Sequence, residues 1–152
     1  MIRSTLCYME KDGNYLMLLR NKKKKDLNKG KWIGVGGKFE ENETPEECLK
    51  REVLEETGVV LKRYAFLGIV EFRNDVCEDE DMYLFTASEW DGDIDMDCIE
   101  GTLKWIPKEE IMDLELWEGD RVFLNKMLEG IETVNLTLRY HDNELIGTEE
   151  RK

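Results

Sequence analysis

Proline is scarce in this 152-residue chain, with only Pro45 and Pro107, and no Pro/Gly/Ser-rich linker or internal repeat divides it, which argues for one domain. Long apolar runs are missing too. No stretch approaches 18 apolar residues, and the first twenty alternate polar with apolar instead of forming a basic head and an apolar block, so neither a membrane span nor a signal peptide is expected. Cys7, Cys48, Cys77 and Cys98 include no C-x-x-C pair, which leaves little basis for a disulfide framework or a thiolate metal site and fits a reducing cytoplasm. Positive charge is in short supply. Lys and Arg number 22 against 35 Asp and Glu, a formal charge of −13, and a surface of that sign repels a nucleic-acid polymer. The single histidine, His141, falls in a turn between strands and reads as an ordinary surface residue. No histidine near Cys48 in sequence could activate it, so that thiol reads as packing.

What is present suits a globular α/β domain. Hydrophobic residues make up 41% of the chain, enough for one moderate core. Residues 2–10 and 14–20 are β-prone runs joined by Lys11-Asp12-Gly13, a hairpin signal. A lysine-rich connection leads to WIGVGGK at 32–38, read as a strand ending in a tight glycine turn. Thr44-Pro45-Glu46-Glu47 combines an N-cap, proline at the first helical position and a capping-box glutamate, while Gly58 supplies a left-handed C-cap, so a helix is predicted over 45–57. Strands are expected at 59–72, 82–90 and 102–107, with an acidic loop at 74–81 between the first two. Helices are expected at 108–114 and 119–128, then a hairpin of 133–140 with 144–147, and a frayed tail at 149–152.

The chemistry concentrates on the helix at 45–57. Spacings of three and four bring Glu52, Glu55 and Glu56 within a 100° arc. Like charges at these offsets cost a few tenths of a kcal/mol, and acids in the last turn oppose the helix dipole by about 0.3–1 kcal/mol. A chain this acidic produces Glu-rich faces by accident. A bound hard cation such as Mg²⁺, which takes carboxylate and phosphate oxygens, is the alternative that gives the arrangement a purpose.

The wider pattern decides between them. The run GKFEENETPEECLKREVLEETGV over 37–59 fits G-x5-E-x7-R-E-U-x-E-E-x-G-U at every position, with U aliphatic. This resembles the Nudix hydrolases. The resemblance implies a single-domain α/β/α sandwich around a mixed sheet, which cleaves a nucleoside diphosphate linked to another group. It further implies that Glu52, Glu55 and Glu56, helped by the Gly37 carbonyl, ligate Mg²⁺, with Mn²⁺ as the substitute ion. Arg51 and Glu43 would brace the loop, and Gly58 would close the helix. Glu100 matches a position where related enzymes carry a further metal-binding or base glutamate, and it rivals Glu56 as general base.

The flanking runs GKWIGVGGK, EGTLKWIP and LWEGD are similar to the MutT-type branch that hydrolyses oxidised purine nucleotides such as 8-oxo-dGTP to the monophosphate and pyrophosphate. By that resemblance Trp117 stacks on the purine, Asp120 bonds its edge and Phe72 forms a wall. Trp117 as simple core packing is the competing reading. Ile33 and Gly119 stand where vertebrate relatives carry an asparagine and an acid, so other nucleoside diphosphate derivatives (ADP-ribose, a nucleotide sugar, a plain dNTP) remain alternative substrates. A non-catalytic nucleotide sensor is the reading from another class. Arg20, Lys22, Lys23, Lys24, Lys25, Lys29, Lys31 and Lys38 put eight of the 22 basic residues within 19 positions. They are either a solvated loop or a local patch that attracts a polyphosphate, with Lys38 beside Gly37 the best phosphate contact. A small nucleotide is the expected partner, and the chain is expected to be a monomer or homodimer.

Overall fold

The computed structural model describes residues 1–22, 26–98 and 100–152. Eight strands and two α-helices follow in the order β1 (Ile2–Lys11), β2 (Asn14–Leu19), β3 (Trp32–Ile33), α1 (Pro45–Thr57), β4 (Val60–Asn74), β5 (Glu80–Asp91), β6 (Thr102–Pro107), α2 (Glu118–Leu128), β7 (Leu136–His141) and β8 (Glu144–Glu150). A 3₁₀-helix (Lys108–Asp113) lies between β6 and α2. The sheet runs β3-β2-β1-β5-β4-β7-β8, with β6 also paired to β2. It is mixed, because β1 runs parallel to β5, and β4 parallel to β7, while the other pairs are antiparallel.

Period-two alternation splits the core into two layers. From β1, Leu6 and Tyr8 join one cluster and Cys7 and Met9 the other; from β2, Tyr15 and Met17 separate from Leu16 and Leu18 in the same way. One layer is closed by Leu49 and Val53 of α1. The opposite layer is closed by Ile111 of the 3₁₀-helix and by Phe123, Leu124 and Met127 of α2. Helices therefore cover both faces, and the fold is an α/β/α sandwich. Burying a side chain such as Leu49 stabilises by roughly 1.5–3 kcal/mol before entropy is counted.

Local geometry explains where the glycine loop goes. Asp12 and Gly13 take positive φ of 52° and 79°, as a two-residue turn between right-twisted strands requires. The hairpin they close is short: β1 and β2 pair only at Glu10 with Tyr15 and Lys11 with Asn14. Beyond that point β2 leaves β1, and residues 35–38 take its place through bridges of Val35 to Cys7 and Lys38 to Ser4. This is why only Trp32–Ile33 of the expected 32–38 strand is a regular ladder. Gly36, at φ 154°, passes so close to β1 that a Cβ would sit 2.1 Å from the Thr5 carbonyl oxygen. Any side chain there would push the loop off the sheet.

Three expectations need correction. The segment expected as a helix at 108–114 is the 3₁₀-helix, which starts after Pro107 with no side-chain cap and runs six residues. The acidic loop shrinks to five residues, since β4 reaches Asn74 and β5 begins at Glu80; pairing of Glu80 with Ile2 and of Asp81 with Arg3 draws both acids into the sheet. The tail is not frayed. β8 runs to Glu150, and Arg151 donates to the carbonyls of Leu136 and Ile69 and pairs with Glu71. Those partners lie up to 82 positions upstream, beyond the reach of local sequence patterns.

Candidate active site

Helix α1 has the ends its sequence announces. Thr44 accepts from the Glu47 N–H at 3.1 Å while the Glu47 carboxylate accepts from the Thr44 N–H at 2.9 Å, and Gly58 at φ 81° donates its N–H to the Leu54 carbonyl. With Cys48, Leu49 and Val53 buried against the sheet, the opposite arc is left to carry the acids.

Those acids are graded by depth. The Glu55 side chain is 58% exposed and meets Arg51 Nη1 at 3.3 Å. Glu52 lies deeper, and its carboxylate occupies the space where a Cβ on Gly37 would fall, with contacts as short as 2.5 Å. Gly37 is thus the residue that lets Glu52 approach the loop. Its carbonyl accepts from the Thr5 N–H at 2.9 Å and faces Cys48 Sγ at 3.5 Å. Glu56 is deepest, and its Oε2 accepts from the Gly36 N–H at 3.0 Å.

Burial pushes the Glu56 carboxyl up to about 9, and the neighbouring charges of Glu100 and Glu52 add to the effect. Burial also raises Glu52. Glu100 shares a hydrogen bond with Glu56 and pairs with Arg20 at 3.2 Å. Without a cation the Glu56 carboxyl therefore keeps its proton at neutral pH, and a divalent ion would reverse that preference. Among the described residues no three of these groups are drawn together into a ready ligand cluster. The donor set nevertheless suits a hard cation, since it is all oxygen, partly buried and carries excess negative charge.

Arg51 ties the loop to the helix. Its Nε and Nη2 donate to the two oxygens of Glu43 at 2.7 and 2.8 Å, Nη1 donates to Glu52 at 2.8 Å and Nη2 to the Lys38 carbonyl at 3.0 Å. A fork-to-fork pair of this kind is strong and directional. The Arg51 guanidinium holds the Glu43 carboxyl down at about 2, and Glu43 in turn accepts from the Glu40 N–H.

A cleft of about 820 Å³ runs from this helix across the sheet. Glu52, Glu100, Gly37 and Lys38 line one end, and Phe72, Trp117 and Asp120 line the other. Glu55, Glu56, Glu43 and Gly58 are not among its lining residues. Trp117 is half-buried, so it serves the core and the cleft at once: it packs against the buried cluster of α2 and meets Tyr140 edge-on at 6.3 Å. Its Nε1 donates to Asn28 Oδ1 at 2.8 Å, and the Lys31 ammonium lies 5.1 Å from the ring centroid. Phe72 packs at 6.3 Å from Tyr140. Asp120 is 6% exposed and has no hydrogen bond or ion pair among the described residues; burial, with Glu80 adding repulsion, raises it to about 7.

Sequence reading missed several of these groups. Asn28, Ser4, Glu80 and Tyr140 all line the cleft, yet none carries a local signal, because strand register and a loop contact bring them there. The basic cluster is partly neutralised by acids: Arg20 pairs with Asp26 as well as Glu100, Lys22 with Asp97, and Lys31 with Glu115. Lys38 remains at the cleft. Lys23, Lys24 and Lys25 lie outside the described residues. His141 is a surface group paired with Asp75, and Cys48 is buried beside Thr5, its thiol raised by burial to about 11. All four cysteines are free thiols.

Comparison with known proteins identifies the family. The NUDIX domain model matches residues 2–127. The chain is 28% identical over 145 residues to the uncharacterized Nudix hydrolase YvcI of Bacillus subtilis, covering 91% of this chain and 86% of that protein. It is 31% identical over 114 residues to the oxidized purine nucleoside triphosphate hydrolase of Mus musculus, covering 74% and 72%. The crystal structure of the MutT protein from Bacillus halodurans superposes with a TM-score of 0.87 at 28% identity, over 98% of this chain and 97% of that one. A family match spanning most of the chain, on a fold whose capped glutamate helix opens into a cleft, means that the protein belongs to the Nudix family of hydrolases, enzymes that act on phosphoric anhydrides.

Proposed function

We propose that the chain is a Mg²⁺-dependent pyrophosphohydrolase of purine nucleoside triphosphates, oxidised ones such as 8-oxo-dGTP among them, releasing the monophosphate and pyrophosphate. The observation that carries this reading is one cleft with Glu52 of α1 and Glu100 at one end and a tethered indole plus a buried carboxyl at the other. A nucleotide has the same polarity, with a polyanion at one end and a flat base bearing hydrogen-bond donors and acceptors at the other. The 31% identity to a mouse enzyme named for oxidised purine nucleoside triphosphates supports the substrate class.

Glu52, Glu56 and Glu100 would hold the cation, with Glu55 at the rim; a bound Mg²⁺ offsets phosphate charge and makes water a better acid. Arg51 keeps Glu52 in place through the Glu43 brace. Hydrolysis adds one water across a P–O–P bridge: the attacking oxygen loses its proton to a carboxylate, Glu56 or Glu100, and the bridging oxygen leaves with the diphosphate. Lys38 meets the phosphates, and Trp117 stacks on the base, an interaction worth roughly 1–3 kcal/mol. The four free thiols fit a cytoplasmic protein.

The test is chromatographic measurement of nucleoside monophosphate release over a panel of triphosphates, ADP-ribose and a nucleotide sugar, with Mg²⁺ and after chelation, for wild type and Glu56→Gln. Mg²⁺-dependent turnover of purine triphosphates, lost in the variant, is expected. Turnover confined to ADP-ribose or the nucleotide sugar would transfer the substrate assignment and leave the chemistry in place. Undiminished turnover in the variant would remove the mechanism.

A further inference from the structure

The connection between β2 and β3 carries a chain of contacts that joins the two ends of the cleft. Asp26 is at its centre, with a side chain only 7% exposed. Its Oδ2 accepts from Arg20 Nε at 2.7 Å and its Oδ1 accepts from the Asn28 N–H at 3.0 Å. Both carboxylate oxygens are thus engaged, one toward each end. Arg20 Nη1 reaches Glu100 Oε2 at 3.2 Å, and Asn28 Oδ1 accepts from Trp117 Nε1 at 2.8 Å. All five residues line that cleft.

Each link restrains direction as well as distance. The Arg20 side chain is 14% exposed, and its planar guanidinium holds the Asp26 and Glu100 carboxylates at a fixed angle to each other, which a flexible ammonium would not do. The backbone of Arg20 is tied as well: its N–H donates to the Lys31 carbonyl at 3.1 Å, and its carbonyl accepts from the Gly30 N–H at 2.8 Å. Charges this far from water cost free energy unless their bonding is near complete. A neutral Asn would close the turn to Asn28 equally well without that cost. A carboxylate bonded on both sides at once accounts for the burial of Asp26.

We propose that Asp26 is a positioning residue that couples the Glu100 carboxylate to the Trp117 indole, with Arg20 as the arm on one side and Asn28 as the arm on the other. Displacing either end moves the shared carboxylate and, through it, the other end, because residues in one hydrogen-bond network are energetically coupled. The functional meaning rests on the nucleotide reading above. Seating a base against the indole then sets the acid that faces the phosphates, and a base that seats badly leaves Glu100 less well placed. Substrate choice is thereby expressed in kcat as well as in KM.

The experiment uses the full chain and two readouts. The first, taken without metal or nucleotide, is the Trp117 indole N–H resonance in a nitrogen–proton correlation spectrum, assigned by its absence from Trp117→Phe. Glu100→Ala frees one end of the chain of contacts and is expected to shift that resonance. In the Asp26→Asn background the same substitution should leave it in place. Asn28→Ala, which cuts the arm nearest the indole, should also remove the response, and it serves as the second variant if Asp26→Asn fails to fold. The second readout is steady-state hydrolysis of a purine triphosphate with Mg²⁺. Asp26→Asn should lower kcat and raise KM together, each at least about threefold. Arg20→Lys, which keeps the charge and loses the fork, should reproduce the fall in kcat.

An indole resonance unmoved by Glu100→Ala overturns the coupling, and so does one that moves equally far with Asp26→Asn or Asn28→Ala in place. A fall in kcat at unchanged KM in Asp26→Asn, or a wild-type kcat in Arg20→Lys, likewise overturns it and leaves the hydrolase reading intact. The full indole response in a protein that hydrolyses no nucleoside triphosphate overturns the proposed activity and leaves the coupling.

Discussion

The two ends of the cleft are assembled in opposite ways. The end proposed to take phosphate comes largely from one continuous segment, 36–58, in which a glycine loop, a brace and three glutamates keep their spacing by covalent geometry and a capped helix. Glu100 joins it from afar, with Arg20 paired to it. The base end draws Ser4 from β1, Asn28 from a loop, Glu80 from β5 and Asp120 from α2. A contiguous device can be recognised in sequence and must be kept whole; a dispersed one can change a single side chain without disturbing the rest. On the proposed reading the chemistry is therefore tied to one helix, while base selectivity can change one side chain at a time.

That contrast can be tested by asking which kinetic constant each end controls. The largest effect is expected at the phosphate end. Glu56→Gln should lower kcat by about 10²–10⁴-fold with nucleotide affinity changed far less; a fall in affinity alone would move Glu56 out of the chemistry. Leu49→Ala, beneath the same helix, should cost about 2–5 kcal/mol in denaturant unfolding, with activity per folded molecule retained. Activity lost at full folding would mean that packing sets the glutamate geometry more finely than the caps do. At the base end Trp117→Ala should raise KM for purine triphosphates by about 5–150-fold, the equivalent of 1–3 kcal/mol of stacking, with a smaller change in kcat. A purely kcat effect would break the division of labour.

The smallest effects concern pH, and here Glu43 and Asp120 should differ in sign. Arg51 holds Glu43 at about 2 against an ordinary 4.5, so the carboxylate contributes stability above pH 4.5 that is lost as pH falls toward 2. The destabilisation caused by Glu43→Gln should accordingly shrink on acidification through that window. Asp120 is raised from 3.8 to about 7, so its ionisation opposes folding increasingly as pH rises from about 4 to 7. Asp120→Asn should raise Tm more at pH 8 than at pH 5. Melting curves of both variants between pH 3 and 8 check the pair, and parallel slopes would contradict the opposite environments.

Much of the fold was legible. Helix α1 matches the sequence expectation of 45–57 at both ends, because Thr44, Pro45, Glu47 and Gly58 act on their own neighbours. The Asp12-Gly13 turn is local in the same sense. The length of the 32–38 strand, the anchored Arg151 and the entry of Glu80 into β5 were not legible. Each depends on partners far along the chain: β1 bridging to Val35, Ile69 and Leu136 capturing Arg151, and Ile2 setting the register of β5.

Sequence alone determined the glutamate face, its brace and its caps, since spacings of three, four and eight residues become distances once a helix forms. Tertiary structure decided how deep each carboxyl sits, and with it which one keeps its proton; burial is a property of the neighbours and not of the residue. It also decided that Ser4, Glu80, Trp117 and Asp120 share one cleft, because strand order and helix docking join residues that covalent spacing leaves apart.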